Sequence, residues 1–128
     1  DAEMIAVACA GLEAAGVQRG GYEVKFSTRN LLDAVLENIG VAADAYSTRL
    51  VVLRAIDKFD RLGRQGVELL LGDGRKDESG DFTKGAGLDA KQRAAVIDLV
   101  TAGAGSRGEV LERLAKIAGE AAIAELRE

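Results

Sequence analysis

Arg54, Lys58 and Arg61 are the residues whose type and spacing most suggest chemistry in this sequence. Separations of four and three residues put three cations on one face of a helix, where they could grip a phosphate backbone. Asp57 and Asp60 are close neighbours and reduce the local positive potential. A charged face turned to water is the plainer reading of the same line. Asp57–Arg61 and Asp60–Arg64 stand at i, i+4, the spacing of surface ion pairs worth about 0.2–0.5 kcal/mol each.

Other chemistries fail on residues they require. The sequence contains no histidine and one cysteine, Cys9. The commonest general base is therefore missing, as are Ser-His-Asp and Cys-His sets, Cys/His zinc sites and any internal disulfide. Cys9 lies in an apolar stretch and reads as a small core residue rather than a reactive thiol. The glycine-rich stretch from Gly80 to Lys84-Gly85 does not match the phosphate-binding G-x-x-x-x-G-K-[ST] pattern, and no strand feeds it. Asp77, Ser79 and Asp81 imitate the first ligands of a calcium-binding loop. Phe82 then stands where that loop needs Gly, and Leu88 where it needs Glu. Asp73, Asp77, Glu78 and Asp81 are numerous carboxylates, but nothing places any two of them across a cleft. No catalytic, cofactor or metal residue is assigned within the chain.

The elements that must position these residues are mostly helices. Of 128 residues, 48% are hydrophobic but only 4% are aromatic, so Leu, Val, Ile and Ala must fill the core. That balance suits packed helices better than a β-sandwich. A net charge of −4 confines any nucleic-acid contact to a local patch. No apolar run approaches the roughly 20 residues of a membrane span, and no secretory signal is recognisable.

Residues 1–16 carry apolar side chains at helical spacing, with Gly16 as the stop. After Gly20-Gly21 the period changes: Tyr22, Val24 and Phe26 alternate with Glu23, Lys25 and Ser27, predicting one short strand over 22–27. A lone strand leaves unpaired backbone groups on both edges, so its partner lies outside this sequence or in another copy. Ser27 or Thr28 can cap the next helix, whose stripe Leu31, Leu32, Val35, Leu36 and Ile39 ends at Gly40. Residues 46–62 carry the strongest helical pattern, and 64–71 a further short helix. Residues 72–87 hold many glycines and no aliphatic larger than Ala, so they read as a flexible loop. Asp89 with Gln92 and Ser106 with Glu109 are capping pairs for two more helices, and 120–128 reads as a last one, offset at Gly119. The fold class is mainly α, or α+β by virtue of the strand alone. Both chain ends look cut from a longer protein.

The run from Val52-Leu53-Arg54-Ala55-Ile56-Asp57-Lys58-Phe59 through Asp60-Arg61-Leu62-Gly63-Arg64-Gln65-Gly66-Val67 resembles a segment of histidyl-tRNA synthetases with the insertion of eukaryotic-like forms. Asp1-Ala2-Glu3 is similar to the residues after that family's second class II motif. Tyr22 to Phe26 resembles its next core strand, Arg29-Asn30-Leu31-Leu32-Asp33 its following helix start, and Gly87-Leu88 the resumption after a variable loop. Ser27 replaces a usual Asn, and Asn30 a common basic residue.

The resemblance implies residues 1–39 as a remnant of a class II catalytic core and 40–128 as a helical insertion domain. It implies a homodimeric, cytoplasmic ligase that uses ATP and Mg2+ to activate histidine and join it to its tRNA. The family's ATP and histidine motifs fall outside this chain, so the segment itself is expected to be inactive. It would at most help to hold the tRNA acceptor arm, with Arg54, Lys58 and Arg61 as the contacts. Two alternatives are a synthetase-like regulatory subunit of ATP phosphoribosyltransferase and a helical interaction domain that self-pairs through 22–27.

Overall fold

A computed structural model of the chain describes residues 2–24, 29–103 and 105–127. In order these form α1 (Ala2–Ala14), α2 (Arg29–Asn38), α3 (Tyr46–Asp57), α4 (Phe59–Leu71), β1 (Gly74–Lys76), β2 (Phe82–Lys84), α5 (Ala90–Thr101), α6 (Arg107–Ala118) and α7 (Glu120–Arg127). The mainly α class holds, and the two short strands of the described residues lie at 74–76 and 82–84.

Helix α2 lies at the centre and packs on α5, α6 and α7, while α4 packs on α3 and α5. Its stripe residues Leu32 and Leu36 join Val52 and Ala55 of α3, Val67, Leu70 and Leu71 of α4, and Val96 and Ile97 of α5 in the main core. Ala102, Leu114 and Ile123 form a smaller cluster among α5, α6 and α7. This is the i, i+3, i+4 patterning of amphipathic helices placed face to face.

The expected helix ends are built as the sequence signals them. At Gly40, the Val41 amide donates to the Leu36 carbonyl (2.8 Å) and the Gly40 amide to the Glu37 carbonyl (3.0 Å). Gly16 ends α1 with the same pair of bonds, Val17 to Leu12 and Gly16 to Glu13. These are Schellman motifs, in which a glycine with positive φ turns the chain so that two orphan carbonyls find donors. Asp89 with Gln92 and Ser106 with Glu109 form reciprocal capping boxes at α5 and α6.

Four expectations are corrected. Residues 22–24, the described part of the strand expected over 22–27, are irregular; 25–27 lie outside the described residues, as do the cap candidates Ser27 and Thr28. Tyr22 instead donates its hydroxyl to the Glu13 carboxylate of α1 (2.8 Å), and Arg19 bonds the same group (3.1 Å). That folds 17–24 back on α1, away from any ladder. Second, α1 buries none of its residues, so Cys9 is half-buried rather than a core residue.

Third, the long helix expected over 46–62 is broken. Lys58 is both the last cap of α3 and the first of α4, and Gly63 inside α4 takes φ 63, ψ −176. Only glycine visits that region readily, so the kink is written at that position.

Fourth, residues 72–87 are not a flexible loop but an antiparallel hairpin, with Gly74 opposite Lys84, Arg75 opposite Thr83 and Lys76 opposite Phe82. Three features order it without an aliphatic side chain. The Ala86, Leu88 and Gly87 amides donate to the carbonyls of Leu70, Leu71 and Gly72, capping the C-terminal end of α4 (2.8–2.9 Å). At the other end the Asp77 carboxylate accepts from the Ser79 amide, the Ser79 hydroxyl and the Asp81 amide (2.6–2.9 Å). Between them Gly74 lies so close to the Thr83 carbonyl and the Phe82 ring that no Cβ would fit.

Candidate nucleic-acid interface

The break at Lys58 changes what the three predicted cations can do together. Arg54 sits in the last turn of α3, Lys58 at the junction and Arg61 in the first turn of α4. They do not lie on one uninterrupted helix; they flank the α3–α4 corner at Lys58. Arg54 and Arg61 are exposed and Lys58 half-buried. The corner still presents all three from adjacent turns, because the Arg61 and Leu62 amides bond back to the Lys58 carbonyl (3.1 and 2.9 Å).

None of the three takes part in the ion pairs formed among the described residues. The Asp57–Arg61 and Asp60–Arg64 pairs expected from spacing are not made. Arg64 pairs with Glu68 instead (3.0 Å), the i, i+4 partner that lies beyond the Gly63 kink with it. The helix break removes the regular turn that i, i+4 pairing across it requires. Asp57 and Asp60 stay exposed on the same corner and lower its potential.

Sequence reasoning missed the most connected cation. Arg49 is 6% exposed, and its guanidinium is bonded on every side. Nε donates to the Ala42 carbonyl (2.9 Å), Nη1 to the Asp33 carboxylate (2.7 Å) and Nη2 to the Val41 carbonyl (3.0 Å), with Glu37 3.5 Å from Nη2. One side chain thereby ties α2, the α2–α3 turn and α3 together, which suits the planar fork of arginine. A signal was present: Arg49 is three residues before Val52 and six before Ala55, on the buried stripe of α3. A buried, saturated guanidinium holds the fold and is withdrawn from any ligand.

A second exposed basic set lies on the hairpin. Lys76, Phe82 and Lys84 are all exposed, and none of the ion pairs among the described residues involves them. The two strands, Gly-Arg-Lys and Phe-Thr-Lys, carry no carboxylate; exposed Asp73, Glu78 and Asp81 border them, and Asp77 is turned into the tip by its three bonds. Those bonds, the Ser79 hydroxyl first, hold the Asp77 carboxyl below the ordinary aspartate value. Among the described residues, no group of three or more His, Cys, Asp or Glu is placed to hold a metal ion. No helix there is long and apolar enough to cross a membrane. Two shallow depressions are present among the described residues: about 390 Å³ beside Gln65, Glu68, Leu69 and Arg93, and about 350 Å³ beside Asp98, Thr101, Arg113 and Lys116. The arrangement offers charge on convex surfaces, not an enclosed site for a small substrate.

The chain is similar to curated proteins of one name. A histidine–tRNA ligase of Rhodopseudomonas palustris is 60% identical over 101 residues, 78% of this chain and 20% of that protein. The histidine–tRNA ligase of Caulobacter vibrioides is 53% identical over 118 residues, 91% of this chain and 23% of that one. That of Methylocella silvestris is 48% identical over 134 aligned positions, 100% of this chain and 27% of the relative. The chain therefore spans 20–27% of the length of these relatives. No family model matches it. No solved structure matches it.

Proposed function

The chain belongs with the histidine–tRNA ligases, to a segment of which it is homologous, and from that kinship we propose that it is part of an enzyme joining histidine to its tRNA. The observation that carries this reading is identity of 48–60% to proteins of that name across most of the chain. It favours the ligase over a regulatory subunit of ATP phosphoribosyltransferase. It equally disfavours an unrelated interaction domain.

In this reading residues 1–39 derive from the catalytic domain and 40–128 form the helical insertion. Helix α2 is then the joint between them, since it follows the first part in sequence and packs into the second. Residues 22–27 would enter a sheet supplied by the rest of the protein or by a second copy. The parent is proposed to be a cytoplasmic homodimer that uses ATP and Mg2+. The residues of this chain do not fit either group: no phosphate loop is present, and the carboxylate of Asp77 at the hairpin tip is engaged by neighbouring amides. No step of the reaction is assigned here. The segment is non-catalytic and assists binding of the tRNA acceptor arm through Arg54, Lys58 and Arg61. What supports that role is the exposure of Arg54 and Arg61 beside half-buried Lys58 at one corner, with none of the three in the ion pairs formed among the described residues.

The test is tRNA binding by the chain at low and moderate salt, with Arg54, Lys58 and Arg61 changed to Glu. Every phosphate that is no longer neutralised lowers the salt dependence by about 0.7–0.9 in log–log slope. The triple variant is expected to weaken binding and flatten that slope. Unchanged affinity and slope would remove the corner from the interface.

A further inference from the structure

We propose that one face of the β1–β2 hairpin is a stacking platform for an unpaired nucleotide of RNA, with Phe82 beneath the base and Lys76 and Lys84 beside the phosphates. This rests on the RNA-binding role proposed above and adds where and how an unpaired nucleotide is held.

The register places these three side chains together. Lys76 is directly opposite Phe82, and Gly74 directly opposite Lys84. Alternate residues of a strand share a face, so Gly74, Lys76, Phe82 and Lys84 lie on one side and Arg75 and Thr83 on the other. On the first side a phenyl ring is thus flanked by lysines across the ladder and along its own strand. Phe82 is 62% exposed, on a chain with three Phe in all. Core burial does not account for it, and no pair of helices covers it.

The ring is nevertheless held. A Cβ on Gly74 would stand 2.7 Å from its Cζ, so the ring rests over the bare backbone of Gly74. The Gly74 position, with φ +124, admits no ordinary side chain. The hairpin below is fixed to α4 by the amides of residues 86–88 and closed at the tip by Asp77. A pre-set aromatic face between two mobile ammonium groups matches a flat base joined to charged phosphates on either side. An apolar protein partner would desolvate both lysines without compensation, whereas a phosphate offsets that cost by pairing with them. Inside a paired helix both faces of every base are already stacked, so the ligand is an unpaired nucleotide.

The platform is separate from the corner at Lys58. The corner is at the N-terminal end of α4 and the hairpin follows its C-terminal end. The two sites use different side chains at opposite ends of the 13-residue α4, kinked at Gly63, so they can be substituted independently.

The experiment is anisotropy titration of two labelled probes with the whole chain at low salt. One probe is a single-stranded oligoribonucleotide of about ten nucleotides and the other a blunt duplex RNA of the same length. Phe82→Ala is expected to weaken single-strand binding about tenfold with an unchanged salt slope, and to leave duplex binding within about twofold. Phe82→Tyr is expected to retain the affinity, and the Lys76→Gln, Lys84→Gln pair to flatten the single-strand salt slope. Single-strand binding that is indifferent to Phe82→Ala would overturn the platform and leave the RNA reading of the corner standing. An equal loss on both probes would assign Phe82 a structural role and likewise overturn it. Absence of binding to either probe by the unaltered chain would defeat the RNA reading and the platform together.

Discussion

Arg49 shows how a single side chain can be read as apolar surface by its spacing and as charge by its chemistry. It occupies the buried stripe of α3, and its four acceptors come from α2 and the turn that follows. Arg49→Ala is expected to destabilise the chain by about 2–3 kcal/mol, measured by urea denaturation, because the Val41 and Ala42 carbonyls lose their donors. Asp33 and Glu37 reach water and contribute less of that loss. Arg49→Lys should recover little, since one ammonium cannot reach carbonyls and carboxylates together. Tyr22 is the other telling residue. Its pKa is pushed up to about 12, first by donating to the Glu13 carboxylate and then by its contact with Cys9. The protonated phenol is the form the fold favours. Its contribution is therefore present below the ordinary value of 10.0 and is lost as pH rises through about 12. In a Tyr46→Phe background, tyrosinate absorbance should follow that high pKa, and Glu13→Gln should bring it down. A titration insensitive to Glu13→Gln would mean that this hydrogen bond does not form.

The helices are legible as elements because their caps and stripes are local. Asp89/Gln92 and Ser106/Glu109 satisfy the same amides that spacing alone assigns to them. Ser106→Ala is expected to cost about 1 kcal/mol in thermal or chemical unfolding. Its pH dependence follows from Glu109, whose carboxyl is held below the ordinary 4.5 by the Ser106 amide first, then the Ser106 hydroxyl, with Arg113 adding to it. A lowered carboxylate pKa stabilises above the ordinary value, and that stability is lost as pH falls through the lowered one. Ser106→Ala should therefore shrink the loss of stability seen below about pH 4.5. The break at Lys58 is not legible, because Lys58 is a good helix former, whereas the kink at Gly63 falls where the sequence parts a helix over 46–62 from one over 64–71. Gly63→Ala is expected to cost about 1–3 kcal/mol in unfolding free energy, as φ 63 with ψ −176 strains any Cβ. No loss would show that α4 can straighten. The described part of the strand expected over 22–27, residues 22–24, is irregular for a different reason. Alternation is a real signal of a half-buried strand, but among the described residues no neighbouring strand exists to receive it.

At the scale of the whole molecule, stability sits unevenly. The main core joins α2 to α5, whereas α1 buries nothing and meets the remainder chiefly through its own following turn. Deleting residues 1–21 is therefore expected to shift the melting temperature by no more than a few degrees, about the effect of 1 kcal/mol in a domain of this size. A large drop would mean that α1 docks on the helical body. Met4, Val7 and Leu12 of α1 are correspondingly exposed. The two basic regions are likewise separated, one at each end of α4, so the RNA contacts proposed for them depend on how the bundle sets α4 and not on any single motif.

By itself the sequence determined the helical class, the positions of most helix ends, the absence of histidine chemistry and the kinship read in Val52 to Val67. Those properties are local: they follow from side-chain periodicity over one or two turns, from a cap reaching three residues, or from composition. Only the tertiary structure decided that Arg54, Lys58 and Arg61 wrap a corner, that Arg49 is sealed among carbonyls and carboxylates, and that the glycine-rich stretch is a hairpin. Each of these depends on partners distant in the chain or on backbone amides that have no side-chain signature. In the hairpin the ordering groups are main-chain N–H donors and one aspartate, which the same composition would equally supply to a loop.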